Sequence, residues 1–186
     1  MKLDADTLDA RGFKTWAPDY AGMPLSAHPR VEPDGTLWNF GLSTGAGVLS
    51  IYRVSADGRD VETHSLKVPD IGMLHDFAVT GRHLVFLLPP FVYDIERAKA
   101  GETFLGSHVW RRSLGMRVLL LPKDELDAPR WLQLPAGFVF HLGNAWEDAQ
   151  GIIRLDYVRS PDATLVLQGA RDLMRGAVNG NAPAAR

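Results

Sequence analysis

The chain contains no cysteine, which excludes disulfides, thiolate metal sites and iron–sulfur clusters and leaves imidazole and oxygen atoms as metal donors. An excess of charge of either sign is also missing. Twenty Lys and Arg stand against 22 Asp and Glu, for a formal charge of −2, and the arginines are dispersed apart from the pair Arg111–Arg112. That balance gives no electrostatic footprint for nucleic acid, which is not expected as a partner. Long apolar runs are lacking too. LVFLLPPFV, from Leu84 to Val92, falls far short of the ~20 residues of a membrane-crossing helix. The polar N-terminal MKLDADTLDARGFKTW has none of the apolar core of a secretory signal, so a cytoplasmic location is expected. Leu84–Val92 reads first as a buried strand segment, with peripheral contact against an apolar ligand or membrane surface as the alternative.

What is present is ordinary globular composition: 186 residues, 46% hydrophobic and 23% charged, enough for one domain with a core. Short strands dominate the pattern. VLSIYRV and VETHSLKV flank the turn SADGRD, and DFAVT leads through Gly81-Arg82 into HLVFLL, a hairpin whose leading glycine suits a type II′ turn. RVLLLP, RWLQLP, FVFHL, IIRLDYV and TLVLQ continue the series between loops of Asp, Gly and Pro. YDIERAKAGETF and ARDLMRGAV are the two helical candidates. The glycine-rich GLSTGAGVLS, Gly41 to Ser50, lacks a phosphate-loop lysine and a GxGxxG spacing, and reads as a loop between strands. The fold class is therefore all-β. Residues 1–172 form the expected domain and 173–186 a C-terminal tail, with NGNAPAAR frayed.

Three histidines share one local pattern, in which a histidine is followed by a polar turn and then an apolar strand. AHPRVEPDGTLWNFG carries His28, LHDFAVTGRHLVFLLPP carries His75 and FHLGNAWEDAQGIIRLDYV carries His141. Recurrence at intervals of 47 and 66 residues suggests repeated β-units that each present one imidazole at an equivalent place. Converging imidazoles suit iron, copper, nickel or zinc. His64, in an alternating strand, His83, opening a hairpin strand, and His108, in the loop GSHVWRR, lack this context and read as structural. Glu147 and Asp148 are adjacent on a strand and so point to opposite faces, which fits turn and structural roles better than paired acid–base chemistry. At about 40–50 residues per propeller blade, the length accommodates about four blades, an arc of a larger ring.

The segments SAHPRVEPDGTLWNFG, MLHDFAVTGRHLVFLLPP and FVFHLGNAWED resemble three successive motifs of the carotenoid cleavage oxygenase family. The similarity runs from about Leu8 to Leu167. It implies an arc of a seven-bladed β-propeller that holds iron(II) on its axis through four histidines, and it makes His28, His75 and His141 three of those ligands. The fourth family ligand has no counterpart here, because no histidine follows His141. The outer glutamates of the family likewise fall outside this stretch, and Glu147 reads as structural.

The resemblance further implies an iron(II) dioxygenase that uses O2 to split a carbon–carbon double bond of a carotenoid, apocarotenoid or stilbene, giving two carbonyl products. Four neutral imidazoles would leave the metal its full charge and two adjacent open positions. An apolar polyene or stilbene would be held by aromatic and aliphatic walls, for which Phe77, Phe91, Trp110, Phe138 and Trp146 are available beside their plainer reading as core. The alternative is a catalytically incomplete propeller fragment acting as a binding or assembly module. A third reading, a propeller hydrolase with a carboxylate-bound metal, finds no cluster of Asp, Asn and Glu to support it. Exposed sheet edges predict self-association or a complementing chain.

Overall fold

A computed structural model describes residues 2–13 and 20–177. Twelve strands form four antiparallel sheets among these residues. The first sheet is a meander of β1 (Arg30–Val31), β2 (Leu37–Ser43), β3 (Val48–Val54) and β4 (Val61–Lys67) in that order. In the second, β5 (Ala78–Val79), β6 (His83–Leu88), β9 (Met116–Pro122) and β10 (Arg130–Leu134) lie side by side. Between β6 and β9 the chain leaves that sheet to form the pair β7 (Phe91–Tyr93) and β8 (His108–Trp110), joined through the short helix α1 (Ile95–Lys99). The last pair is β11 (Phe138–Glu147) with β12 (Ile153–Ser160), followed by a π-helical turn at Leu165–Gly169 and helix α2 (Ala170–Met174).

The sheets stack face to face, and the sequence shows why. Successive side chains of a strand point to opposite faces, so a strand buried on both sides reads as a continuous apolar run. HLVFLL and MRVLLLP are such runs. Leu84, Phe86 and Leu88 of β6, with Leu119 and Leu121 of β9, pack against Trp38, Phe40, Leu49 and Ile51 of the first sheet. Val85 and Leu87, with Val118 and Leu120, pack on the other side against Val139 and Leu142 of β11. Leu84–Leu88, Phe91 and Val92 are all buried. This segment is therefore core, the first of its two expected readings. β12 and β4 alternate in burial instead, the mark of strands with one wet face. The result is an all-β arc of a propeller, with β1, β5 and β11 as the innermost strands.

Close backbone approaches seat the segments that lead into β1 and β5. Residues 71–73 run antiparallel to β7, with Met73 N–H donating to Phe91 O at 3.0 Å and Gly72 bridging Val92. Any Cβ at Gly72 would lie 1.8 Å from Phe91 O. Gly41 of β2 plays the same part for the segment before His28: a Cβ there would meet Pro24 O at 1.9 Å.

Several local expectations are corrected. TLVLQ is not a strand: Asp162 Oδ1 accepts from Thr164 N–H, and the chain then coils so that Val166 and Leu167 cover Phe91 and Phe138. An apolar run this short satisfies either period, and the capping aspartate decides it. The Gly81 turn is not type II′, since Gly81 does not adopt a positive φ. It is held instead by Thr80, whose Oγ1 accepts from His83 N–H, and by Glu147, which binds the turn from β11. GLSTGAGVLS is mostly strand, its loop contracted to Thr44–Gly47, and His108 lies in β8 and is buried. The tail expected at 173–186 begins inside α2, and NGNAPAAR lies outside the described residues.

Replacing Gly72 by Ala must push β7 away from the segment leading to His75. The variant is expected to lose about 1–3 kcal/mol of stability in urea denaturation, whereas Gly81→Ala, at a glycine without a positive φ where a Cβ meets no atom within 4 Å, is expected to change stability little.

Candidate metal centre

Each innermost strand delivers one histidine. His28 lies two residues before β1, His75 three before β5 and His141 within β11. Their donor nitrogens all lie within 4.8 Å of one another. The Nε2 atoms of His28 and His75 are 2.8 Å apart. Ring centroids are separated by 4.6 Å for His28–His75 and 5.1 Å for each of the other two pairs, all edge to face. His28 and His75 are partly buried and His141 is exposed, so the cluster is open on one side. Burial first, and then the neighbouring His28 and His141, hold the His75 imidazole below the usual histidine range. A ring kept neutral offers its lone pair to a metal.

Backbone bonds fix where each ring starts. Ser26 N–H donates to Phe40 O at 2.7 Å, and Ser26 Oγ accepts from His28 N–H at 3.1 Å. The β11 strand brings His141 in through an irregularity. Val139 pairs with Arg159 and Leu142 with Tyr157, which leaves one extra residue on β11, a bulge spanning Phe140 and His141. Regular pleating would send these two neighbours to opposite faces. With the bulge, both reach His75: Phe140 stacks on its ring at 3.9 Å and 21°, and His141 meets it edge-on.

Directly behind the cluster lies Asp76, its side chain only 3% exposed. Oδ1 accepts from Phe77 N–H and from Arg30 Nη2, each at 2.8 Å, and Oδ2 accepts from Leu142 N–H at 2.9 Å. Arg30 Nε also donates to Phe77 O at 2.9 Å. Sequence reasoning missed Phe140, Asp76 and Arg30. The motif HDF placed Asp76 beside a candidate ligand, but its partners lie 46 and 66 residues away, and only the fold brings them to it.

The remaining candidates are structural. Phe77, Phe91 and Phe138 are fully buried core, Trp110 packs beside the Phe91 group and Trp146 is 40% exposed. Glu147 closes a polar knot around the β5–β6 turn. It accepts from the Thr80 hydroxyl, from Arg82 N–H at 3.0 Å and from Arg82 Nε at 2.6 Å, and it meets His83 Nδ1 at 3.0 Å. Burial raises its pKa, but the hydrogen bonds from His83, Thr80 and Arg82 outweigh that and bring it to about 2. Asp148 caps its own turn through Gln150 and Ile152 N–H. His108 packs between Phe91, Phe104 and Tyr93, with Nδ1 2.8 Å from Phe104 O and Nε2 without a partner among the described residues; burial lowers its pKa. His64 Nε2 lies 3.7 Å from Asp127 Oδ1.

Comparison with known proteins gives a consistent picture. The family model described as retinal pigment epithelial membrane protein matches residues 1–184. Carotenoid cleavage oxygenase 1 of Neurospora crassa is 34% identical over 167 residues, 86% of this chain and 31% of its own length. Resveratrol cleavage oxygenase 1 of Aspergillus fumigatus is 32% identical across 83% of this chain and 32% of its own. The crystal structure of Pseudomonas brassicacearum lignostilbene dioxygenase superposes with a TM-score of 0.73 at 30% identity, over 83% of this chain and 33% of that one. The chain thus spans about a third of the length of the curated relatives it matches.

The polar knot sets an acid response. A carboxylate held at about 2 against an ordinary 4.5 contributes stability that is complete above pH 4.5 and is lost as pH falls toward 2. Glu147→Gln is expected to cost roughly 2 kcal/mol at pH 7 and much less at pH 2–3, as read by urea denaturation at the two pH values. His108, with its pKa lowered from 6.5, adds a separate loss that begins as pH drops below 6.5 and is absent from His108→Phe.

Proposed function

The chain belongs to the carotenoid cleavage oxygenase family, and from that premise we propose that His28, His75 and His141 are three ligands of an iron(II) centre for oxidative cleavage of an alkene. The observation that carries the reading is the convergence of three imidazole donors, one from each innermost strand, within 4.8 Å. The donor set fits the ion: nitrogen ligands with no thiolate suit iron, and the exposed side at His141 leaves room for further ligands. Bound there, iron(II) would supply activation of O2 beside a carbon–carbon double bond, whose two carbons would each end as a carbonyl.

The chain's own residues supply geometry and exclusion. Phe140 fixes the plane of the His75 ring by stacking on it, and Ser26 ties the His28 backbone to the first sheet. Phe140 also presents an apolar surface next to the donors, suited to a polyene or stilbene that offers little to hydrogen-bond. The named relatives that cleave carotenoids, resveratrol or lignostilbene support that substrate class. The remaining ligand and most of the substrate cavity are assigned to protein beyond these residues, either further polypeptide or a complementing chain. A second reading, a binding or assembly module without turnover, draws on one fact: the described residues place three histidines at the centre and no fourth donor.

Anaerobic loading separates these readings. The chain is expected to take up about one iron(II) per protomer, and His75→Ala to weaken that binding at least tenfold. Failure of the parent chain to bind iron overturns the centre. Iron-loaded protein is expected to bleach a stilbene or apocarotenoid absorbance with matching O2 uptake, and full loading without either favours the second reading.

A further inference from the structure

We propose that Asp76 is a positioning residue for the imidazole cluster: one buried carboxylate that locks the three histidine-bearing segments into a common register. It touches no histidine ring in the hydrogen bonds it makes. Its three donors come instead from one backbone or side-chain group on each segment: Arg30, two residues after His28; Phe77, two after His75; and Leu142, immediately after His141. Arg30 closes the arrangement by donating a second time, to Phe77 O, so that β1 and β5 are joined on both sides of the carboxylate.

The chemistry requires an acceptor with two oxygens and no proton. Three N–H donors converge on Asp76, and a carboxylate can accept all three. An amide would turn an NH2 group toward one of them and leave a donor facing a donor. The bond to Leu142 matters most. Leu142 follows the bulge in β11, pairs with Tyr157, and has a register shift on each side of it in the ladder to β12. Asp76 Oδ2 takes up the Leu142 N–H at 2.9 Å and so holds the bulge in the setting that turns Phe140 and His141 together toward His75. Groups that orient metal ligands from behind typically change metal affinity about 10–100-fold when removed.

The proposal rests on the metal-centre reading for its binding measurement and on the metal-free geometry for its structural one, so the two fail separately. Ring-to-ring nuclear Overhauser effects between His28 and His75, and between His75 and Phe140, are measured in metal-free protein. Affinity for Co(II), whose visible bands report ligand geometry, is measured in parallel. Asp76→Asn is expected to lose the His75–Phe140 effect and to weaken Co(II) binding about 10–100-fold with altered bands. Glu147→Gln, which removes a comparable buried carboxylate from the far end of β11, is expected to lower stability while leaving both measurements as in the parent.

Asp76→Asn with parental ring contacts and parental Co(II) affinity overturns the proposal. Equal loss in Glu147→Gln does so as well, because the effect is then general loosening. Should the parent show the ring contacts but bind no metal, the metal-centre reading falls and the positioning role is decided by the contacts alone. If Asp76→Asn does not fold, Arg30→Lys decides. It keeps the carboxylate and both backbone bonds but cannot bridge Asp76 and Phe77 O, and is expected to lose the His28–His75 effect. Retention of that effect overturns the proposal.

Discussion

The arrangement of this molecule turns on a single buried carboxylate that accepts from its own neighbour Phe77 and from two distant parts of the chain, at Arg30 and Leu142. Asp76 is nearly inaccessible to solvent, and a charge in that position is tolerable only where every oxygen is satisfied and a counter-charge is near. Arg30 provides the counter-charge, and Phe77 and Leu142 provide the backbone donors. Meeting that requirement brings β1, β5 and β11 to one another, and with them the two histidines just ahead of β1 and β5 and the one within β11. On that proposal the convergence of the three rings follows from satisfying a buried anion, and its geometry draws precision from the two backbone N–H groups that cannot rotate away.

The second sheet supports this from outside. Because β6 and β9 are buried on both faces, they act as a partition with one wall against the first sheet and the other against β11. The two histidines from the first and second sheets are held across one interface and His141 across the next. Glu147 reinforces that second interface at the far end of β11 through the β5–β6 turn. Apolar packing therefore fixes the spacing between sheets, and the two polar knots at Asp76 and Glu147 fix how far each sheet slides along its neighbour.

The grouping of His28, His75 and His141 was legible because the surrounding words repeat, and most strands were legible because the apolar runs are short and bounded by Asp, Gly and Pro. Other features depend on contacts that no local window contains. Phe140 precedes a histidine on a strand, so alternation assigns it to the wrong face, and only the bulge opposite Arg159 and Tyr157 reverses that. The Gly81 turn looks like a glycine-driven hairpin, yet beside the backbone bond from Thr80 N–H to His83 O the Thr80 hydroxyl takes the His83 N–H and Glu147 takes the Arg82 N–H. TLVLQ reads as strand by composition and coils because Asp162 caps it and the Phe91–Phe138 pair needs covering. Asp76 was visible as a letter in HDF, but its significance lies in partners 46 and 66 positions away.

The same long separations give the cluster an order of construction. Each hairpin can close locally, but no two of the three rings meet until whole sheets have docked, and pairings that distant form late because loop closure must be met first. A nascent or partly collapsed chain therefore has single imidazoles without the convergent set. Any ion that demands all three can be captured only once the last strand pair is seated, so occupancy of the centre would act as a checkpoint on completed assembly.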